Sequence, residues 1–251
     1  MLVSRIGWTP VKGGRHLEHD WVRLDEHGPV GDRVFALVDP VTRTSVLTAP
    51  NRRLALTTPL WDGRTLAVRF PDDTLVSGEP TGTGETVYFD YFGRGVPGEV
   101  QDGPWAQAYS DYLGQPVVLA RMTDRRGVVY GAPVSLITTS SLRWLSQVTG
   151  QPIPDGRFRM TLTLDTGAAP AFVEEGWLGR RVGLGGAVIR INGLVARCPV
   201  IEVNPVTGEV DTALQQALAR ERPQLPDRPF GVDAVVVRPG IVRLGDPVTE
   251  P

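Results

Sequence analysis

The chain has a single cysteine, Cys198, directly after Arg197. A thiolate is a nucleophile, a soft metal ligand and a sulfur carrier, and a neighbouring cation is one of the settings that reactive thiols use. A lone cysteine is more often a small buried hydrophobe, so the residues around it must decide. Residues 187–191, apolar and β-branched, read as a strand, and residues 199–203 read as a second. Asn204, Pro205 and Gly208 then supply a turn, which sets the thiol on a short strand-to-strand connection. Lys12 is the only lysine, and its ammonium is a compact point charge that arginine does not imitate. Arg157 and Arg159, two apart in an expected strand over 157–164, would share a face and could fork onto phosphate oxygens. Thr138, Thr139, Ser140 and Ser141 stand where a helix should begin. Hydroxyls there cap free backbone N–H groups, and the same groups suit an anion. His16 and His19, with Glu18 and Asp20, have ligand chemistry, but nothing adjacent completes a metal site, so a solvated turn is expected.

Length and composition bound the function. A chain of 251 residues, 41% apolar and 22% charged, is ordinary for one large or two small globular domains. A net charge of −2 offers no basic field for nucleic acid. No apolar run nears the roughly 20 residues of a membrane span, and the N-terminal residues lack the pattern of a signal peptide. One cysteine allows no internal disulfide and no self-contained four-cysteine iron–sulfur cluster, so a cytoplasmic address is the default expectation.

The elements that must position these residues are mostly strands. The 29 glycines and 22 prolines suit many short strands joined by turns. Runs at 2–6, 22–24, 34–38, 46–48, 54–57, 66–70 and 86–89 suggest a small antiparallel barrel or sandwich. Residues 80–85 read as a turn, and residues 93–104, rich in Gly and Pro, as a flexible connector. Helical spacing of apolar residues predicts a helix from Trp105 to Leu113, stopped by Gly114. Further helices are predicted after Ser141, closed by Gly150, and over 212–222, ended by Pro223. The fold class expected is mainly β with a few helices (α+β), with domains at 1–95 and 105–251.

Arg197-Cys198, a short apolar run, then Val203-Asn204-Pro205 with Thr207 and Gly208 resemble the signature of the MOSC domain, the C-terminal domain of molybdenum cofactor sulfurases. The N-terminal half resembles the β-barrel that precedes many such domains, through Pro10 to Gly13, Gly31 to Arg33, Val38-Asp39, and Thr48 with Pro50 and Leu54. Ser141-Leu142 with Leu145, and Arg157-Phe158-Arg159, also fit the family pattern. The chain departs from it at Val195, where a further cysteine is common, and at Thr161, where asparagine stands.

The resemblance implies an N-terminal β-barrel-like domain packed on a MOSC β-barrel domain. It implies that Cys198 ligates molybdenum, and that Lys12, Arg33, Thr139, Ser141, Arg159 and Arg197 surround an anionic molybdenum cofactor (molybdopterin). Proteins with both pieces include the mitochondrial amidoxime reducing component and its bacterial relatives. These reduce N-hydroxylated small molecules by oxygen-atom removal, with electrons from a separate haem or iron–sulfur protein. Two alternatives stand beside that expectation: a cofactor or sulfur carrier using a Cys198 persulfide, and a scaffold without metal.

Overall fold

The computed structural model describes residues 1–249. Strands dominate, and three α-helices accompany them among the described residues: α1 (Trp105–Leu113), α2 (Thr139–Thr149) and α3 (Leu214–Glu221). Gly114 and Gly150, both left-handed, stop α1 and α2, as glycine does where the last turn needs φ > 0.

Two β-systems carry the site. The first is a closed barrel of Thr81–Tyr91, Arg94–Asp102, Val118–Met122, Phe35–Asp39 and Thr44–Ser45, sealed by the parallel pair Asp90 and Thr44. The second is an eight-stranded sheet. Its central strands are Ala187–Leu194, Val232–Arg238, Val134–Thr138 and Leu162–Asp165. Inward-facing valines, leucines and isoleucines of this sheet, with Trp177, form its buried core. A separate cluster of Val11, Phe35, Leu37, Leu54, Trp105, Tyr109 and Leu119 fills the space against the barrel.

Three strand pairings cross the expected division of the chain, one of them Trp21–Asp25 with Gly240–Arg243. The first strand, Leu2–Trp8, pairs with Leu162–Asp165 in the C-terminal sheet. Val118–Met122 pairs with Phe35–Asp39 in the barrel. The Pro10–Gly14 loop therefore leaves one β-system and borders the other.

Several local expectations are corrected. Residues 93–104 are not a flexible connector: Arg94–Asp102 is a barrel strand. Gly98 is closely packed there: an added Cβ would meet Met122 Cε at 2.8 Å and Ala120 Cβ at 3.0 Å, so a larger residue would require these neighbours to shift. Residues 80–85 are not a turn but lie mostly in the long strand Thr81–Tyr91, with its pairing irregular between Gly82 and Thr86. Arg52–Leu56 is a 3-10 helix rather than part of a strand. Pro199–Glu202 is also a 3-10 helix rather than a strand. Proline at a first helical position fits its fixed φ and missing N–H. Finally, residues 157–164 are not one strand. Asp155–Phe158 is a 3-10 turn, Arg159 is left-handed at φ 54°, and the strand is only Leu162–Asp165.

Candidate functional site

The Pro10–Gly14 loop lies along residues 32–35. Phe35 N–H donates to Pro10 O at 2.9 Å, and Lys12 N–H donates to Phe35 O at 2.8 Å. Arg33 N–H donates to Thr9 O at 2.7 Å, and Thr9 N–H donates to Asp32 Oδ1 at 3.0 Å. Gly13, at φ +94°, lets the loop turn where a Cβ would meet Leu54 Cδ2 at 2.4 Å. From the other β-system Arg159 Nη2 reaches Gly14 O at 2.7 Å. These bonds set Lys12, Arg33 and Arg159 in one neighbourhood.

Cys198 stands exposed at its edge. Its sulfur is in electrostatic reach of Lys12, Arg159, Arg197 and Tyr91. Lys12 Nζ lies 5.1 Å from the Tyr91 ring centroid. Among the described residues it has no carboxylate partner within 4.0 Å, since Asp32 is paired with Arg33. Burial, followed by repulsion from Arg33 and Arg159, brings the ammonium from 10.5 down to about 7. Burial also pushes Arg159 and Arg197 down, though a guanidinium stays charged at neutral pH. His16 sits in the same field. Burial first, then Arg159 and Arg5, hold its imidazole well below its usual value.

Two of the arginines are held at a backbone cost. Arg33 at φ 47° and Arg159 at φ 54° are both left-handed, which disfavours any residue with a Cβ by about 1–2 kcal/mol. Such outliers gather where a side chain must be aimed. Arg159 is not on one face of a strand with Arg157, as expected. The left-handed residue turns the chain between them, and Arg157 is spent on Asp211 at 2.7 Å.

Arg197 braces the Cys198 loop from behind. Its guanidinium donates to Phe158 O at 3.1 Å and to Phe230 O, and its backbone N–H donates to Asp227 O at 3.1 Å. Gln215 Nε2 closes the other side, donating to Arg197 O at 2.6 Å.

At the start of α2, Thr139 and Ser141 are engaged by the protein's own carboxylates. Ser141 is fully buried and donates to Glu174 Oε1 at 2.8 Å, and Thr138 donates to Glu174 Oε2 at 2.7 Å. Thr139 donates to Asp165 Oδ1 at 3.0 Å. The anion at this helix start is the protein's own carboxylate, which burial pushes up despite these bonds. Neither hydroxyl is free for a ligand in this arrangement.

The histidines are also placed. His16 Nδ1 is 3.4 Å from Arg5 Nη2, and His19 stacks on Trp8 with centroids 4.1 Å apart. Both are half-buried beside a short strand, Leu17–Glu18, rather than in a solvated turn. In the sequence His16 reads only as a metal ligand and Asp32 only within the Gly31–Arg33 match, and Tyr91 gives no signal. Asp32 adjoins Arg33, the one signal that could have found it; Tyr91 is brought in only by its hairpin.

Two clefts, of about 460 and 330 Å³, have other linings. The first is lined by Trp8, Glu18, His19 and Trp21, the second by Asp39, Asn51, Asp90 and Phe92. Neither is lined by Lys12, Arg33, Arg159 or Cys198.

The donor set selects a kind of ligand. Among the described residues no three His, Cys, Asp or Glu side chains are grouped to hold a bare metal ion. One exposed thiol beside three cations fits instead a soft metal that arrives with its own ligands on an anionic carrier.

No curated protein matches the sequence. Among solved structures, the YuaD protein of Bacillus subtilis is 12% identical, with 98% of this chain and 93% of that one covered and a TM-score of 0.44. YiiM of Geobacillus stearothermophilus is 17% identical, with 47% and 54% covered and a TM-score of 0.33. YiiM of Escherichia coli is 13% identical, with the same shares covered and a TM-score of 0.34. The family model described as MOSC domain matches residues 113–249, and MOSC domains are generally associated with molybdenum cofactor binding. With more than half of its length matched, the chain belongs to the MOSC domain family.

Proposed function

We propose that the protein binds the molybdenum cofactor through Cys198, Lys12, Arg33 and Arg159, and reduces N-hydroxylated small molecules. The observation that carries the proposal is the unpaired Lys12 ammonium within electrostatic reach of the exposed Cys198 thiol. Three cations against one carboxylate, Asp32, repel each other until an anion joins them. A phosphate-bearing, dithiolene-bearing group is such an anion, and a thiolate is the matching soft ligand.

When bound, the cofactor supplies a two-electron centre that accepts an oxygen atom. The chain's own residues do the rest. Cys198 gives the protein ligand. Lys12, Arg33 and Arg159 balance charge and fix the group's orientation. Arg197 and Gln215 hold the Cys198 loop rigid. In the net reaction a hydroxylamine takes up two protons and two electrons, its N–O bond breaks, and an amine and one water are released. The electrons need an outside source. One cysteine cannot hold an iron–sulfur cluster, so a separate haem or iron–sulfur protein is the donor we propose.

The exposure of Cys198 also suits a sulfur carrier, in which the thiolate takes the outer, sulfane sulfur of a donor protein's persulfide, the donor S–S bond breaking as the new one forms and the donor thiol being released. The test is turnover by protein made in a molybdopterin-producing host, with dithionite-reduced methyl viologen as donor. Formation of amine from N-methylhydroxylamine, lost in Cys198→Ser, is the expected result. Absence of turnover with labile sulfur on Cys198 would select the carrier.

A further inference from the structure

The hairpin between Thr81–Tyr91 and Arg94–Asp102 turns through Phe92 and Gly93, with Tyr91 opposite Arg94. Phe92 has φ 53° and Gly93 φ 78°, the two-residue turn with both central residues left-handed. Asn, Asp or Gly normally fills the first of these positions, and a bulky residue there is an outlier. The strain is not offset by burial, since Phe92 is 55% exposed.

Its ring is instead one of a series. Tyr91, buried beneath Lys12, meets Phe92 edge-on at 4.9 Å between centroids. Phe92 meets Tyr130 at 5.6 Å, and Tyr130 is 64% exposed. Arg94 fixes the arrangement: its guanidinium lies 5.2 Å from the Tyr91 ring centroid, and its Nη2 donates to Val129 O at 2.8 Å. The two exposed rings thus continue in contact from the buried ring that lies against Lys12.

We propose that Phe92 and Tyr130 form an aromatic platform at the rim of the Lys12–Cys198 site that selects substrates carrying a flat ring. The platform rests on the proposed function for the chemistry performed, but its binding role is separable from it. A flat ring stacked on Phe92 or edge-on to Tyr130 would put its N–O substituent toward the cations. A puckered ring of equal size would lose that contact.

The test pairs N-phenylhydroxylamine with N-cyclohexylhydroxylamine, and wild type with Phe92→Asn and Tyr130→Ala. Asparagine suits the left-handed turn, so the first variant should melt no lower than wild type. Calorimetric binding to cofactor-free protein should weaken about three- to tenfold for the phenyl compound, as expected for loss of a ring–ring contact, and stay unchanged for the cyclohexyl compound. In the loaded enzyme KM should rise by the same factor for the phenyl compound alone, with kcat preserved. Equal losses for both compounds, or none for either, would overturn the platform while leaving N-methylhydroxylamine turnover to judge the reductase proposal. A rise in KM for a protein electron donor, with substrate KM unchanged, would assign the rings to that donor and overturn the platform as well.

Discussion

Replacing Lys12 with methionine should stabilise the cofactor-free protein near neutral pH and leave it unchanged at high pH. Burial first, and Arg33 and Arg159 after it, bring the Lys12 ammonium from 10.5 to about 7. The unfolded chain therefore keeps this proton up to about pH 10.5, and the native chain only to about 7. Between those values the unfolded state binds more protons, so native stability rises with pH. Below about pH 7 both states are protonated and the full penalty is present. The gap between about 7 and 10.5, at about 1.36 kcal/mol per pH unit, corresponds to about 5 kcal/mol as an upper bound. Lys12 keeps partial exposure, and solvent screening brings the expected penalty to about 2–3 kcal/mol. Methionine retains the stem and removes the charge, so Tm at pH 6–7 should rise by about 4–12 °C. Melts of metal-free protein from pH 6 to 10.5 read this directly. Added inorganic phosphate should stabilise wild type more than the variant, because a ligand that binds only the native state raises its stability. A variant no more stable at pH 6–7, or a gap that does not close by pH 10.5, refutes the reasoning.

Three further outcomes are expected. Gly13→Ala forces a side chain into φ +94° and against Leu54, so it should cost about 1–3 kcal/mol in a denaturant melt and weaken the phosphate effect. Glu174→Ala leaves the buried Thr138 and Ser141 hydroxyls without their acceptor, and should cost about 2–4 kcal/mol; Glu174→Gln, which still accepts, should cost much less. His16 resists protonation in the native state, whereas the unfolded chain takes up its proton near pH 6.5. Stability should therefore fall as pH drops below that value, by at most about 1.4 kcal/mol per pH unit from this residue, and His16→Gln should flatten that part of a urea-melt profile.

The strand-rich fold was legible because alternation and turn residues are local signals. So were α1 and α2, whose glycine stops mark their ends. The failures share a cause. Residues 94–102 look like a linker because Gly and Pro weaken a strand, yet pairing with Thr81–Tyr91 and Val118–Met122 makes them a barrel strand, a tertiary fact. Arg157 and Arg159 read as strand neighbours because no local rule announces a left-handed arginine; the Arg159 guanidinium finds its partner at Gly14 O, far away in sequence. The hydroxyls at the start of α2 signalled a cap, which Thr138 supplies to Ser141 N–H, but no local pattern says that Glu174 accepts from the same hydroxyls. Lys12 stood out by being the only lysine, and the pairing of its loop with residues 32–35 gives that rarity a physical setting. Tyr91 and Phe92 gave no signal, since their importance depends on where one hairpin tip comes to rest.

The measurement that bears most directly on the central claim is the molybdenum content of protein purified from a molybdopterin-producing host, for wild type and Cys198→Ser. Serine changes volume little and removes the soft ligand, and an exposed position makes loss of fold no explanation for the result. About one molybdenum per wild-type chain is expected, with a sharp fall in the folded serine variant. Metal-free wild type, or a serine variant that keeps its full molybdenum, would contradict the assignment of Cys198.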